Sequence, residues 1–296
     1  MSGATATLNK SKRNSQIKEI WRRYKKSKIA MLGLVLLIFV LAIAIFADII
    51  VPYEEAITQD PANRLQGPSG EHWFGTDELG RDVFARVVHG SRYSLWIGVS
   101  TSINTFFSLI IGGLLGAVAG YYGKTIDNVI MRLTDVVMTV PPILLSLAVV
   151  AALGANLTNL LIAITVSCIP NMVRMVRSTV LTVIDNDYIE AAKSYGSSDM
   201  RVILRYVIPN ALGPIIVTTT MNVAAMILSA SGLSFLGMGV QPPSPEWGAL
   251  LSDARQYMFN APYLLYFPGL FIVIAALSFN LAGDGLRDAL DPKLKN

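Results

Sequence analysis

The residues from Asp187 to Gly196 have types and spacing suited to a short helix that must pack against something. Asp187 is placed as an N-cap, and Glu190, three residues on, is the reciprocal half of a capping box. Tyr188, Ala191, Ala192 and Tyr195 recur at i, i+3, i+4 and i+7, which puts them on one helical face. Gly196 suits a left-handed helix end. Ser197 or Ser198 can then cap a second helix, which Pro209 limits. The first helix has only about two turns, and isolated helices below ~12–15 residues are marginal in water. It therefore needs something to pack on, and the two alanines allow a close approach. Local physics leaves both a partner protein and a self-packed loop open.

Catalytic readings fail residue by residue. Gly123-Lys124-Thr125 looks like the end of a phosphate-binding loop, but that pattern needs a glycine where the chain has Val118, and a preceding strand. Gly283-Asp284 resembles half of an intramembrane aspartyl protease motif, whose earlier glycine is replaced by Leu281. No nucleophile–base pair occurs at a convincing spacing. His72 and His89 have no Cys or His neighbours at ligand spacing, so no metal site is expected. Cys168, the one cysteine, lies in an apolar run as a packing residue, and no internal disulfide can form.

The elements that must position the short helix are apolar. The 296 residues are 53% hydrophobic and 15% charged, against about 25% charged in a soluble domain, and the mean hydropathy is +0.51. Long uncharged runs carry the excess, beginning with Ile29 to Val51, longer than the ~20 residues that cross a bilayer. Ala42-Ile43-Ala44 resembles a signal cleavage site, but the run is too long for a signal peptide core, so the segment is expected to stay as a first span. Further spans are predicted at 95–121, 136–153, 157–173, 211–236 and 266–282, giving an all-α integral membrane protein with six transmembrane helices. A basic tail (1–28) precedes the first span (29–51), a polar outer segment (52–94) follows, then a five-helix core (95–282) containing the polar loop 176–210, and a tail (283–296).

Nine Lys and Arg precede Ile29, so the positive-inside rule puts both termini and the 176–210 loop in the cytoplasm. The same distribution explains the net charge of +4 without nucleic acid. Arg132 and Asp135 lie three apart and can pair with each other or with a neighbour at the inner interface, as a structural anchor. No clear mid-span charge occurs in spans two to six, which weighs against an ion-coupled carrier. The polar residues Asn104, Ser167, Asn171, Thr219 and Asn222 are candidates to line a pathway, although such groups often only join helices. Gly112, Gly116 and Gly120 mark a close helix contact. Pro141-Pro142, Pro170 and Pro214 are expected to kink or delimit spans.

The outer segment His72 to Gly98 is punctuated by Gly75, Gly80 and Gly90, with Thr76, Asp77 and Asp82 as candidate caps. Phe84, Val87, Val88, Ser91 and Leu95 follow helical spacing, predicting an amphipathic helix on the outer membrane surface that leads into span two. Trp247, Tyr257, Tyr263, Tyr266 and Phe267 are expected to form an interfacial belt.

Glu190-Ala191-Ala192, Gly196 and Ile208-Pro209 together resemble the cytoplasmic EAA signature of permease subunits of ABC-type importers. The two residues usually isoleucine and leucine before that proline are Tyr206 and Ile208 here. FGTDELGRD with GSRYSLWIG, and LSFLGMGVQPPSPEWG, are similar to the C-type permeases of the dipeptide/oligopeptide/nickel group. The resemblance covers nearly the whole chain. It implies the type I ABC importer permease fold in a bacterial or archaeal plasma membrane. It also implies a second related permease as partner, two ATPase subunits carrying ATP and Mg, and an extracytoplasmic substrate-binding protein, with no cofactor or catalysis on this chain. The short helix would dock on an ATPase subunit, with Glu190 holding its cap, Ala191 fitting the groove and Gly196 permitting the turn. The substrate stays open among dipeptides, longer peptides and nickel. An ion-coupled carrier is the alternative from another class.

Overall fold

The structure, a computed structural model, describes residues 19–290, apart from the side chains at 213, 214, 216–218, 220–224, 287 and 290. The described residues form helices and connecting turns, with a single isolated bridge between Thr76 and Asp82.

Helix α1, Lys28–Ile45, starts at Ser27, whose hydroxyl accepts from the Ala30 N–H. It stops short of the predicted Val51 because the chain turns at Phe46 into a separate four-residue helix, Ala47–Ile50. Helix α2, Val83–Tyr122, is a single helix of 40 residues. Asp82 caps it by accepting from the Ala85 N–H at 2.8 Å, as predicted for one of three candidate caps.

The amphipathic piece predicted to lie on the outer surface is instead the first turns of α2. All of its residues from Val83 to Ser91 are buried except Phe84, which is half-buried. The helical spacing was real. What covers the other side is a shell of loops and helices that hydropathy does not reveal. Trp247 belongs to that shell and not to an interfacial belt. It is 1% exposed, and its indole N–H donates to Val87 O at 2.8 Å. Phe267 likewise stacks on Phe74 at 3.8 Å, whereas Tyr266 remains 71% exposed.

The predicted third span is two helices, α3 at Lys124–Met138 and α4 at Pro142–Leu153, bent by 79°. Pro142 fits the first turn of α4 and holds Pro141 before it in extended backbone, φ −53° and ψ 135°. Helix α5, Leu157–Ile184, starts at the Asn156 cap and runs well beyond the predicted end at 173. Arg174 and Arg177 end the apolar run there, but Val173, Val176, Val180 and Val183 keep a buried stripe at helical spacing. Pro170 lies inside α5.

After the short helix α6, Asp187–Ser194, comes α7, Asp199–Val202, then one wide turn, Ile203–Val207, and α8, Ile208–Phe235, without interruption. Pro209 therefore does not end the second helix. In the wide turn the Ile208 N–H reaches back five residues to Ile203 O, so the register has already loosened where the proline ring must fit. Helices α9, Trp247–Ala254, and α10, Tyr263–Leu290, complete the chain.

The principal contact is α2 against α5, followed by α1 against α10. The glycine stripe on α2 makes the first possible: a Cβ on Gly112 would lie 2.6 Å from Met172 Cβ, and one on Gly116 2.5 Å from Val173 O. Among the described residues, four helices are long and apolar enough to cross a membrane, or five if the bent α3–α4 pair is one span. The fifth predicted span, 211–236, falls on α8, where the described apolar stretch is Ala225–Phe235, and the sixth, 266–282, lies within α10.

Candidate functional site

Helix α6 starts one residue earlier than its sequence implies. Asn186 is the cap position, but its side chain turns back to donate to Val183 O at 2.7 Å, and no side chain caps the helix. Asp187 is thus the first helical residue and not the N-cap. Glu190 falls one position beyond the reach of a capping box, which does not form. Both acids still sit in the first turn with Lys193 in the last, the polarity that suits the helix dipole.

The far end is as predicted. Gly196 has φ +75°, its N–H donates to Lys193 O at 2.9 Å, and the Ser197 N–H donates to Ala192 O at 3.2 Å. Those two bonds around a left-handed glycine are a complete Schellman ending. Ser198, not Ser197, occupies the cap position of α7, again without a side-chain cap bond.

Tyr188, Ala191, Ala192 and Tyr195 do not share one environment. Ile189 and Ala192 face inward, into a buried cluster with Val176, Val180 and Val183 of α5, Val202 of α7 and Ala117 of α2. Tyr188, Ala191 and Tyr195 face outward, Tyr195 being 90% exposed. Ile189 is the member that sequence spacing missed, since a two-turn helix has two faces and the tyrosines carried more apolar weight. The loop is further held by the Tyr121 hydroxyl, 2.8 Å from Asp199 Oδ1, and by Lys193 Nζ, 4.8 Å above the Tyr121 ring. A short helix with one face bolted to two membrane helices and an exposed apolar-aromatic face can act as a mechanical handle.

Asp135 does not pair with Arg132. Its carboxylate accepts from Arg174 at 2.8 Å, and Asp127 accepts twice from Arg177, so two ion pairs tie α3 to the C-terminal half of α5.

Of the polar pathway candidates, the structure brings Ser167 and Asn171 together. They line a cavity of about 100 Å³ with Val137, Met138, Val140, Pro142, Leu145 and Pro170. Ser167 Oγ is fixed 2.8 Å from Ser146 Oγ and donates to Ala163 O. Asn104 lies half-buried on α2, away from this cavity. Thr219 is buried with its hydroxyl donating to Ile215 O at 2.7 Å. The Asn222 side chain lies outside the described residues. The cavity was legible in part, because Pro141-Pro142 and Pro170 mark it in the sequence.

Around the start of α2 lies a charged cluster that the sequence does not announce. Asp77 accepts from Arg81 Nε at 2.7 Å and from Arg86, with both arginines 3% exposed or less. Burial pushes the Glu78 and Asp253 carboxyls beside them above the usual range, as does the negative charge of Asp77. Glu246, 1% exposed, caps α9 by accepting from the Gly248 and Ala249 N–H groups, and burial raises its carboxyl too. The signal available was FGTDELGRD, in which Asp77 and Arg81 fall four apart; Arg86 lies four residues beyond its end and nine from Asp77, a separation that points to no pairing.

Comparison with known proteins agrees with this architecture. Residues 112–296 match the family model for the binding-protein-dependent transport system inner membrane component, and residues 15–68 match the N-terminal TM domain of oligopeptide transport permease C. The dipeptide transport system permease protein DppC of Alkalihalophilus pseudofirmus is 47% identical over 279 residues, covering 94% of this chain and 90% of that protein. The glutathione transport system permease protein GsiD of Escherichia coli O6:K15:H31 is 47% identical over 281 residues, with the same two coverages. Among solved structures, the inward-facing MetNI methionine ABC transporter is similar in fold, with a TM-score of 0.56 and 18% identity over 70% of this chain and 96% of that chain. The chain belongs to the binding-protein-dependent inner-membrane components of ABC importers, in their dipeptide/oligopeptide permease branch, and is a non-catalytic, multi-pass membrane subunit.

Proposed function

We propose that this chain is the C-type permease of a peptide importer, paired with a second permease and driven by two ATP-binding subunits that hold ATP and Mg. A substrate-binding protein delivers peptide from outside. Helix α6 docks on one ATPase subunit through Tyr188, Ala191 and Tyr195, while Asp187, Glu190, Ala192, Gly196 and Ser197 shape and anchor it. The observation that carries this reading is the division of α6 into a buried anchoring face, Ile189 and Ala192, and an exposed face ending at a glycine-terminated turn. The names of the 47%-identical relatives, for dipeptide and for glutathione, both describe peptides and support peptide over nickel. The nine basic residues before Ile29 support cytoplasmic termini and a cytoplasmic α6.

The test is reconstitution of the native complex in vesicles with the binding protein outside and ATP inside. Import of a labelled dipeptide, competed by glutathione and not by nickel, is the expected result. In the same complex a cysteine at Ala191 crosslinks to an ATPase subunit. Ion-driven import by this chain alone, or no crosslink across several linker lengths, refutes the reading.

A further inference from the structure

The cavity at Ser167 and Asn171 sits where two neighbouring helices are interrupted at one depth. Helix α4 has 12 residues, about 18 Å at 1.5 Å per residue. Pro170 follows the start of α5 at Leu157 by thirteen residues, about 20 Å. A short turn joins the two helices and they pack together, so the α3–α4 bend and Pro170 face each other. Both lie more than halfway across a hydrocarbon layer of ~30 Å, counted from the α4–α5 turn.

Interruption at that depth leaves polar backbone behind. Pro170 has no N–H, so the Val166 carbonyl lacks its helical donor. The last carbonyls of α3 and the first N–H groups of α4 meet at the bend. Irregular backbone at membrane depth is tolerated where it is covered by protein or lines a polar cavity, and interrupted spans mark where transporters hold their cargo. Here the cavity exists, and its side chains match that chemistry. Ser167 and Asn171 are one helical turn apart on the same face. The serine is already held by Ser146, while the Asn171 carboxamide is exposed and has no hydrogen-bond partner among the described residues. Val137, Met138, Val140, Pro142 and Leu145 form apolar walls.

We propose that this pocket is a contact point for the transported peptide, in which the Asn171 carboxamide pairs with a backbone amide of the passing chain. A carboxamide offers one carbonyl acceptor and an NH₂ donor, the complement of a peptide unit's N–H and C=O. Recognition of that unit is indifferent to side-chain identity, and the apolar walls accept varied side chains. The pocket holds a single peptide unit or a small side chain, so it contacts the substrate in transit and does not enclose it.

The inference rests on the peptide-importer reading and is tested in the same reconstituted complex. Cys168 is the chain's one cysteine, so Cys168→Ser gives a background without thiols on this subunit. On it, Asn171→Cys is labelled with a maleimide, and a transported dipeptide supplied with binding protein and ATP slows the labelling. Separately, Asn171→Leu raises the KM for dipeptide import about tenfold, the effect of one lost hydrogen bond of ordinary strength, and Asn171→Gln recovers part of it. Labelling indifferent to peptide, together with an unchanged KM in Asn171→Leu, overturns the pocket assignment while leaving the permease reading intact. Should Asn171→Leu fail to assemble, the labelling result decides alone. A wild-type complex that imports no peptide refutes both.

Discussion

Replacing Gly196 with valine tests the docking role proposed for α6 at its most constrained atom. The glycine has φ +75°, and an added Cβ meets nothing within 4 Å, so the substitution is opposed by backbone conformation and not by crowding. A left-handed conformation costs an ordinary residue ~1–2 kcal/mol. The chain's other choice is to leave that conformation and lose the bonds to Lys193 O and Ala192 O, at ~0.5–1.5 kcal/mol each. Either route costs about 1–2 kcal/mol or slightly more, which disfavours the docking-competent loop by up to ~5–30-fold. Apparent affinity falls in proportion to the competent fraction. Titrating ATPase subunits onto the solubilised permease pair should therefore show weakening within that bound, with membrane insertion unchanged. Gly196→Asn, which tolerates left-handed backbone, should bind within a few-fold of wild type. Wild-type affinity in Gly196→Val refutes the reasoning. So does an equal loss in both variants, because it would make size the cause where the structure shows open space.

Two further outcomes follow from packing and charge. Gly116→Val places its Cβ 2.5 Å from Val173 O in the α2–α5 contact and should cost ~1–3 kcal/mol or more, read as a lower melting temperature, whereas a methyl on Gly113 meets Leu109 at 3.8 Å and should be tolerated. The charged cluster around the start of α2 should be more stable in mild acid than at neutral pH. Glu78 and Asp253 have raised folded-state pKa values, so their contribution is complete below the ordinary carboxylate range and is lost as pH rises through the raised values. Thermal melts against pH should show that fall, and Glu78→Gln with Asp253→Asn should flatten it.

How much was legible depended on the kind of signal. Apolar runs located α1, α5 and α10, because lipid-facing residues need no partner to be recognised. Their ends were misplaced wherever polarity changed before helicity did, as at Arg174 in α5. The 79° break in the third span was half visible: Pro141-Pro142 announced a kink, but nothing in the residues gives its angle. Gly196 was fully legible because its conformation is a local requirement. The face of α6 was not, since which side of a two-turn helix is buried is decided by α5 and α2, distant in sequence. The charged cluster around the start of α2 stayed hidden for the same reason. Arg86 looks like a surface charge until α9 and α10 close over it, and a buried arginine is stable only with partners such as Asp77 that sequence spacing does not nominate.

These parts converge on the C-terminal half of α5, beyond Pro170. It carries Val176, Val180 and Val183, against which α6 is packed, and Arg174 and Arg177, which hold α3 by ion pairs. The Arg177–Asp127 pair is the better shielded, with side chains 27% and 16% exposed against 51% and 54% for Arg174–Asp135, so it contributes more of the tie. Helix α6, α3 and the C-terminal half of α5 are thus tied together by packing and ion pairs, whereas α3 and α4 meet at a 79° break. Close-packed interiors transmit displacement and do not absorb it. A push on α6 is passed to α5 and α3 together, and the places where the backbone can yield are the α3–α4 bend and Pro170. Those interruptions form the wall of the Asn171 pocket, so under the docking role proposed for α6 that pocket is the place where its movement is felt.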